Sequence, residues 1–310
     1  MTDRRSPALR FGIFMPQLGV SATEMIAAAR NAEEAGFDSF WIMDHLYAPG
    51  APQFDTLESW TLLSAIAAST STIRLGHLTI RLGHLVGCNP FRHPSLLAKM
   101  AATVDRISGG RLELGLGWGS VDDEFGMFGF DVGTRRERAE QLGETIAILR
   151  MMFSGEPFDY AGKHFQLSGA YGLPTPVRGT IPIHIGGAGK QLTMPLVAEH
   201  ADWWNCVAAA RPRFDELAPL RGTAKISVQY PVGVVVEEKS RAKVAERAAR
   251  RMPESGWGPT LIETPGELAA TFTSEAERGV ELAIVRFHDR ADPDTIDRFG
   301  REVISALSGG

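Results

Sequence analysis

Short apolar runs alternate with amphipathic segments along most of this sequence. The run RFGIFM at residues 10–15 predicts a β-strand, ATEMIAAARNAEEAGF predicts a helix ending at Gly36, and SFWIM at residues 39–43 predicts a second strand. About eight such strand–helix units follow one another. Apolar strands separated by helices are typical of a parallel sheet covered by helices on both faces. We therefore predict an α/β fold of the (β/α)8 TIM-barrel class rather than an open doubly wound sheet.

The domain organisation follows from the same pattern. No linker rich in proline or serine divides the chain, so we expect residues 1–310 to form a single barrel domain. The segment FDYAGKHFQLSG interrupts the alternation with a polar and aromatic pattern. We predict that it forms a small hairpin insertion near residues 156–170.

The phrase IRLGHL occurs twice, seven residues apart, between residues 73 and 86. Because seven is odd, equivalent residues such as Leu75 and Leu82 would face opposite sides of one continuous strand. Fourteen residues also exceed the usual strand length of roughly three to ten. We predict that the second copy, residues 81–86, forms the inner strand. We expect the first copy, residues 74–79, to be a loop or extension at the opposite end, with His77 accessible to solvent and uninvolved in chemistry.

Composition and charge exclude several classes of function. The formal net charge is −5 and the basic residues are scattered, which argues against nucleic-acid binding. Cys88 and Cys206 lie far apart and lack metal-ligand spacing, so we expect reduced thiols and no metal site. No apolar run reaches membrane-spanning length, and the first residues lack the apolar core of a signal peptide. We expect a cytoplasmic protein that binds no membrane.

Candidate functional residues follow the predicted strands, because parallel barrels carry their sites at the C-terminal ends of the strands. Asp44 and His45 follow the second strand, and the turn-forming residues 87–90 follow the third. A structural histidine held by Asp44 explains the first pair equally well, and simple strand termination explains the second feature. We assign the acidic residues after the fourth strand to a solvated helix start: Asp122, Asp123 and Glu124.

Two glycine-rich turns follow the fourth and fifth strands. The first is GLGWGS, whose alternating glycines allow close approach of the backbone to another surface, and the second is GGAGK. Backbone N–H groups in such a turn before a helix can hold a phosphate, although glycine collects in ordinary turns as well. The sequence lacks both a P-loop ending and the Rossmann G-x-G-x-x-G fingerprint. A phosphate-binding turn and a histidine in one cleft favour a phosphorylated redox cofactor whose own ring performs the chemistry.

Four segments carry a resemblance that spans nearly the whole chain: RFGIFMPQ, AEEAGFDSFWIMDHL, CNPFRHPSLLAKMAATVDRISGGRLELGLGWG and IPIHIGGAGKQLTMPLVAEHADWWN. In this order they resemble the luciferase-like monooxygenase family, especially its branch that uses the deazaflavin coenzyme F420. The resemblance implies a (β/α)8 barrel with the isoalloxazine or deazaflavin ring over its C-terminal mouth, exchanging hydride at C5.

The resemblance also implies roles for individual residues. His45 is the candidate catalytic residue, as proton donor or acceptor. Val86 matches the residue of a bulge behind the ring that a cis non-proline peptide often precedes. The phosphate loop matches the second glycine-rich turn. The residues implied to bind the cofactor are Asp44, Leu85, Val86, Cys88, Asn89, Gly117, Gly119, Gly186, Gly187, Ala188 and Gly189.

The main hypothesis is an F420-dependent oxidoreductase that transfers a hydride between the deazaflavin and a small organic substrate. An FMN-dependent two-component monooxygenase and a non-catalytic flavin- or deazaflavin-binding barrel are the alternatives. Partners compatible with these functions are a small-molecule substrate, a cofactor reductase and a second copy of the chain in a homodimer. Trp118 departs from the family pattern and should reshape the substrate side of the cleft, although packing alone explains it as well.

Overall fold

The computed structural model describes residues 9–70 and 80–308. The strands are, in chain order, β1 (Arg10–Phe14), β2 (Ser39–Ile42), β3 (Arg81–His84), β4 (Gly87–Cys88), β5 (Leu112–Gly117), β6 (Phe158–Ala161), β7 (Gln166–Ala170), β8 (Ile183–Gly186), β9 (Trp203–Cys206), β10 (Lys225–Val234), β11 (Leu261–Glu263) and β12 (Leu282–Phe287). The α-helices are α1 (Ala22–Glu34), α2 (Ser59–Ser69), α3 (Pro94–Ser108), α4 (Asp122–Phe128), α5 (Arg135–Ser154), α6 (Thr193–His200), α7 (Phe214–Leu217), α8 (Arg241–Arg251), α9 (Glu254–Trp257), α10 (Pro265–Glu277), α11 (Pro293–Phe299) and α12 (Ser305–Ser308).

The main sheet closes into a parallel barrel. Its strands run in the order β1, β2, β3, β5, β8, β9, β10 and β12, and β12 pairs again with β1. Strand β4 resumes the line of β3 beside β5, and β11 pairs with β10 outside the closed ring. The prediction of a (β/α)8 TIM barrel is confirmed.

Local sequence signals set the helix boundaries. Helix α1 begins after Ser21, whose hydroxyl accepts a hydrogen bond from the backbone N–H of Glu24 while the Glu24 carboxylate accepts one from Ser21. The same capping box starts α5 and α10. Helix α3 ends at Gly109, which adopts a φ of 70° that glycine tolerates best. These caps satisfy backbone groups that the helices themselves leave unpaired.

The core has two layers. The larger one lies between the barrel and its helices, and the smaller one fills the barrel with Phe14, Trp41, Met43, Leu85, Trp203, Leu282 and Ile284. The alternation of side chains along each strand assigns one set to each layer. The barrel is therefore closed by packed side chains below its mouth.

A polar cluster is buried in the same interior. Nε2 of His184 lies 2.6 Å from a carboxylate oxygen of Glu113, and the guanidinium of Arg81 contacts the same carboxylate. Burial raises the pKa of Glu113, but the hydrogen bond from His184 and the charge of Arg81 outweigh it, so the net pKa is lowered. The cluster joins the N-terminal halves of β3, β5 and β8. This end of a (β/α)8 barrel serves stability rather than catalysis.

The second copy of the repeated phrase supplies the inner strand as predicted, but the strand ends at His84 rather than at Val86. Residues 81–84 form β3, which pairs with both β2 and β5 inside the barrel. Residues 74–79 of the first copy, including His77, lie outside the described residues. The predicted insertion is also present, since β6 and β7 form a separate antiparallel hairpin.

Three further observations concern the cysteines, metal-binding groups and membrane-spanning helices. Cys88 and Cys206 are both free thiols. In the described ranges, the side chains of histidine, cysteine, aspartate and glutamate form no group of three or more that is arranged for a metal ion. Within the same ranges, every helix is too short or too polar to span a membrane.

Candidate active site

A cavity of about 520 Å³ opens at the C-terminal ends of the barrel strands. Its wall includes every residue predicted for the site except Asn89, namely Asp44, His45, Leu85, Val86, Cys88, Gly117, Gly119, Gly186, Gly187, Ala188 and Gly189. Asn89 is buried directly after β4 and does not line the cavity. The topology thus brings together residues that are far apart in sequence, while their individual roles stay predictions.

Asp44 is a buried anchor beneath the cavity. Its Oδ1 accepts hydrogen bonds from the hydroxyl of Ser59 at 2.6 Å and from Arg92 at 3.1 Å, and its Oδ2 accepts from Arg92 at 2.7 Å and from the backbone N–H of Cys88 at 2.8 Å. Burial raises the pKa of Asp44, but the Arg92 charge and these bonds outweigh it and lower the net pKa. Asp44 therefore stays ionised and ties the end of β2 to β4.

His45 and Glu124 form a paired unit at the cavity wall. Nδ1 of His45 lies 2.7 Å from Oε2 of Glu124, whose Oε1 accepts a hydrogen bond from the backbone N–H of Leu46 at 2.6 Å. The Glu124 side chain is 1% exposed, whereas that of His45 is 29% exposed. The carboxylate is thus enclosed and the imidazole reaches the cavity. Such a pairing fixes the orientation of a histidine ring.

The assignment of the acidic run to a solvated helix start is wrong for Glu124. Asp122 and Asp123 are exposed as predicted, but Glu124 and the neighbouring Phe125 are buried. Consecutive residues on a helix point in directions about 100° apart, so neighbouring acidic residues can differ in burial when one side of the helix packs against the barrel. The signal in the sequence was the adjacent large apolar residue.

A bulge separates β3 from β4, at Leu85 and Val86, and the peptide bond between these two residues is cis. The Val86 side chain packs against glycines at the ends of two neighbouring strands. A Cβ at Gly117 would lie 2.8 Å from Val86 Cγ2, and a Cβ at Gly186 would lie 2.9 Å from Val86 Cγ1. Both positions require glycine for this close approach. Val86 also lines the cavity, to which it presents an apolar platform.

The second glycine-rich turn lies between β8 and α6. Gly187 has a φ of +128°, its N–H donates to the carbonyl of Asn205 at 3.1 Å, and its carbonyl accepts from the indole N–H of Trp204 at 2.8 Å. Within residues 9–70 and 80–308, the backbone N–H groups of Ala188 and Gly189 donate to no protein acceptor. Two cavity-lining amides therefore remain for an anion, and this arrangement fits a phosphate.

Polar side chains from β9 and β10 also line the cavity. The Gln229 amide donates to Asn205 Oδ1 at 2.7 Å, and Asn205 in turn donates to the hydroxyl of Ser227 at 3.0 Å. We did not predict these residues, although each is a polar interruption of an apolar strand. They hold one another in place and offer hydrogen-bonding groups to a ligand.

Trp118 lines the cavity, and its predicted place on the substrate side stays a prediction. Its indole N–H donates to Thr193 Oγ1 at 3.2 Å, and the Arg138 guanidinium lies 5.6 Å from the ring centroid. The ring is therefore held between α5 and the start of α6 while it lines the cavity. Together with the Val86 platform and the free amides, this wall fits a planar ring with a phosphorylated side chain.

Comparison with known proteins gives the family. Residues 9–287 match the family described as luciferase-like monooxygenase. The chain therefore belongs to this family, as its sequence motifs indicated. The described barrel and the site at its mouth agree with this assignment.

Several curated relatives are named for F420. The chain is 28% identical over 264 residues to the F420-dependent hydroxymycolic acid dehydrogenase of Mycobacterium tuberculosis, covering 79% of this chain and 68% of that protein. It is 29% identical over 315 residues to the F420-dependent glucose-6-phosphate dehydrogenase of Microbacterium testaceum, covering 95% and 88%. An uncharacterized protein of Mycobacterium tuberculosis is 32% identical over 195 residues, which cover 57% of this chain. The same residues cover 65% of that relative, so the match spans less than two thirds of its length.

Solved structures show the same fold. An F420-dependent secondary alcohol dehydrogenase, in complex with an F420-acetone adduct, aligns with a TM-score of 0.74 at 19% identity, covering 97% of this chain and 99% of that one. The oxygenating constituent of 3,6-diketocamphane monooxygenase from Pseudomonas putida, in complex with FMN, aligns with a TM-score of 0.71 at 19% identity, covering 96% and 98%. The fold thus accommodates proteins of both cofactor classes.

Proposed function

We propose that this chain is an F420-dependent oxidoreductase that transfers a hydride between the deazaflavin and a small organic substrate. The observation that carries the proposal is the His45–Glu124 pair, which lines the same cavity as the glycine-rich turn with its two free amides. A histidine held by a buried carboxylate is a common device for moving a proton to or from a reacting group.

Glu124 determines which nitrogen of His45 reacts. One Glu124 oxygen accepts the Leu46 N–H, and the other faces Nδ1, so the carboxylate keeps a proton on Nδ1. The lone pair of the neutral ring then lies on Nε2. In the oxidising direction, Nε2 of His45 takes the hydroxyl proton of the substrate as the carbon-bound hydrogen leaves as hydride, and in the reducing direction a proton on Nε2 returns to the carbonyl oxygen.

The remaining residues hold and orient the reactants. When bound, the deazaflavin ring supplies a two-electron hydride acceptor or donor. In this proposal Val86 and Leu85 support the ring from below, and the amides of Ala188 and Gly189 hold its phosphate. Asp44 keeps β4, which carries Cys88, in place. The Cys88 thiol stays protonated, since burial raises its pKa far above the ordinary value, and it takes no part in proton transfer.

The names of the relatives support F420 over FMN. Two proteins similar to this chain over most of their length are named as F420-dependent dehydrogenases. The cofactor reductase and the homodimer named from the sequence stay predictions.

A single-turnover screen tests the proposed reaction. The purified chain is mixed with oxidised F420 and a panel of alcohols, and with reduced F420 and the matching aldehydes and ketones, while the ring absorbance is followed. The proposal expects a change with at least one pair that requires the protein. Product formation only with reduced FMN and oxygen would instead support the monooxygenase, and cofactor binding without turnover across the panel would support the non-catalytic barrel.

A further inference from the structure

Arg286 lies at the mouth of the barrel on β12. It is the penultimate residue of that strand and is paired in register with Pro231 of β10. Side chains alternate along a strand, and both Leu282 and Ile284 belong to the cluster that fills the barrel. Arg286 shares their side of the strand, so its side chain projects inward at the C-terminal end, where the cavity lies.

The guanidinium of Arg286 has no anionic partner in the part of the chain that the structure describes. Its Nη1 is buried without a hydrogen bond, and residues 9–70 and 80–308 form no hydrogen bond or ion pair with the side chain. Burial lowers its pKa to about 9. By contrast, Arg92 contacts Asp44, and Arg138 contacts Asp122. A buried charge without a partner is costly and needs a reason.

Trp257 separates this guanidinium from the cavity. The Arg286 guanidinium carbon lies 3.3 Å from the centroid of the Trp257 ring, and Trp257 itself lines the cavity beside Gly256. The ring belongs to α9, a single helical turn that lies over the barrel mouth. Cation–π contact stabilises the charge but leaves its N–H donors without acceptors. Displacement of one aromatic ring would bring these donors to the cavity.

We propose that Arg286 binds an anionic group of the substrate, a carboxylate or a phosphate, when Trp257 moves aside. The planar N–H fork of arginine matches both groups. The glycine-rich turn that suits the cofactor phosphate follows β8, three strands away from β12 around the barrel. The position of Arg286 therefore favours the substrate over the cofactor as the source of the anion. Assigning the anion to a substrate rests on the proposed function, whereas the anion site itself does not.

The test titrates inorganic phosphate into the full chain at low ionic strength and measures binding by calorimetry. The wild-type chain should bind phosphate, and Arg286→Gln should weaken this binding at least about tenfold, since it removes the charged fork. Arg290→Gln is the matched control, because it removes one exposed positive charge from the loop after β12 and should bind as the wild type does. Phosphate should also change the tryptophan emission of the wild type, and Trp257→Phe should remove that change.

Titrations with F420 present and with Arg286→Lys distinguish a substrate site from a cofactor site and from a folding defect. In the presence of saturating F420, which would cover the glycine-rich turn, the phosphate binding that depends on Arg286 should keep its affinity, whereas its loss would assign Arg286 to the cofactor and overturn the proposal. If the chain binds no F420, the proposed function fails, but the difference between wild type and Arg286→Gln still decides the anion site. Arg286→Lys keeps the charge without the fork and should lose affinity severalfold, which decides the matter if the glutamine variant does not fold. The site would be refuted if the wild type bound no phosphate, or if Arg286→Gln and Arg286→Lys bound it as tightly as the wild type.

Discussion

Replacing Glu124 with glutamine tests the role assigned to the buried carboxylate. Glutamine keeps the size of the side chain but supplies one acceptor oxygen and one donor NH₂ group. Its oxygen would accept the N–H of Leu46, as Oε1 of Glu124 does at 2.6 Å. The NH₂ group would then face Nδ1 of His45, which must become an acceptor. The proton of the neutral ring would move to Nε2 and block the position proposed to take the substrate proton.

The expected effect on turnover is much larger than the effect on stability. Glutamine can form two hydrogen bonds here, as the carboxylate does, so the free energy of unfolding should change by about 1 kcal/mol. Loss of a correctly placed base should lower kcat in the oxidising direction by about two to four powers of ten. Because Glu124 does not contact the predicted phosphate loop, the Kd of the cofactor should stay within about twofold.

Three measurements check this combination. Turnover is measured with a substrate found by the screen, cofactor Kd by ring fluorescence, and the tautomer of His45 by ¹⁵N NMR of the imidazole nitrogens. Asp123→Asn provides the matched control, since it neutralises an exposed carboxylate on the same helix and should leave all three unchanged. The reasoning is refuted if Glu124→Gln keeps wild-type turnover with the His45 proton still on Nδ1.

Three other perturbations follow from the site and the repeat. His45→Ala should lower turnover by about two to four powers of ten with nearly unchanged cofactor binding, and wild-type turnover would make this histidine structural. Gly186→Ala places a Cβ 2.9 Å from Val86 Cγ1 and should weaken cofactor binding at least about tenfold in a fluorescence titration, whereas unchanged affinity would show that the platform is unimportant. Deleting residues 74–80 leaves another isoleucine in front of β3 in place of the buried Ile80, so the variant should fold and bind cofactor. A folded deletion variant that binds none would show that the first copy is functional.

The fold was accessible from the sequence because its signals are local and repeated. Each barrel strand is a short apolar run and each following helix is amphipathic, so the alternation fixed the class without knowledge of contacts. The choice of the second copy, residues 81–86, as the inner strand also followed from local reasoning, because the functional end of the strand carries the bulge while the opposite end tolerates added loop length. Residues 81–84 of this copy form β3.

The site was only partly accessible, because burial of a polar residue depends on tertiary packing. Asp44 and His45 were found from their position after a strand. Glu124 was assigned to solvent, since helical position alone does not tell which of three acidic neighbours faces the barrel. Asn205 and Arg286 were overlooked, although both are polar residues at inward-facing positions near the ends of apolar strands. That pattern was the signal for them.

Cofactor preference is the most direct test of the central claim. The purified chain is titrated separately with F420 and with FMN, and ring fluorescence or absorbance gives the two Kd values under identical conditions. The combined motifs of the Asp44–His45 pair, the bulge at Val86 and the glycine-rich turn predict that F420 binds at least about tenfold more tightly. Equal affinity, or tighter binding of FMN, would contradict the account and favour the monooxygenase.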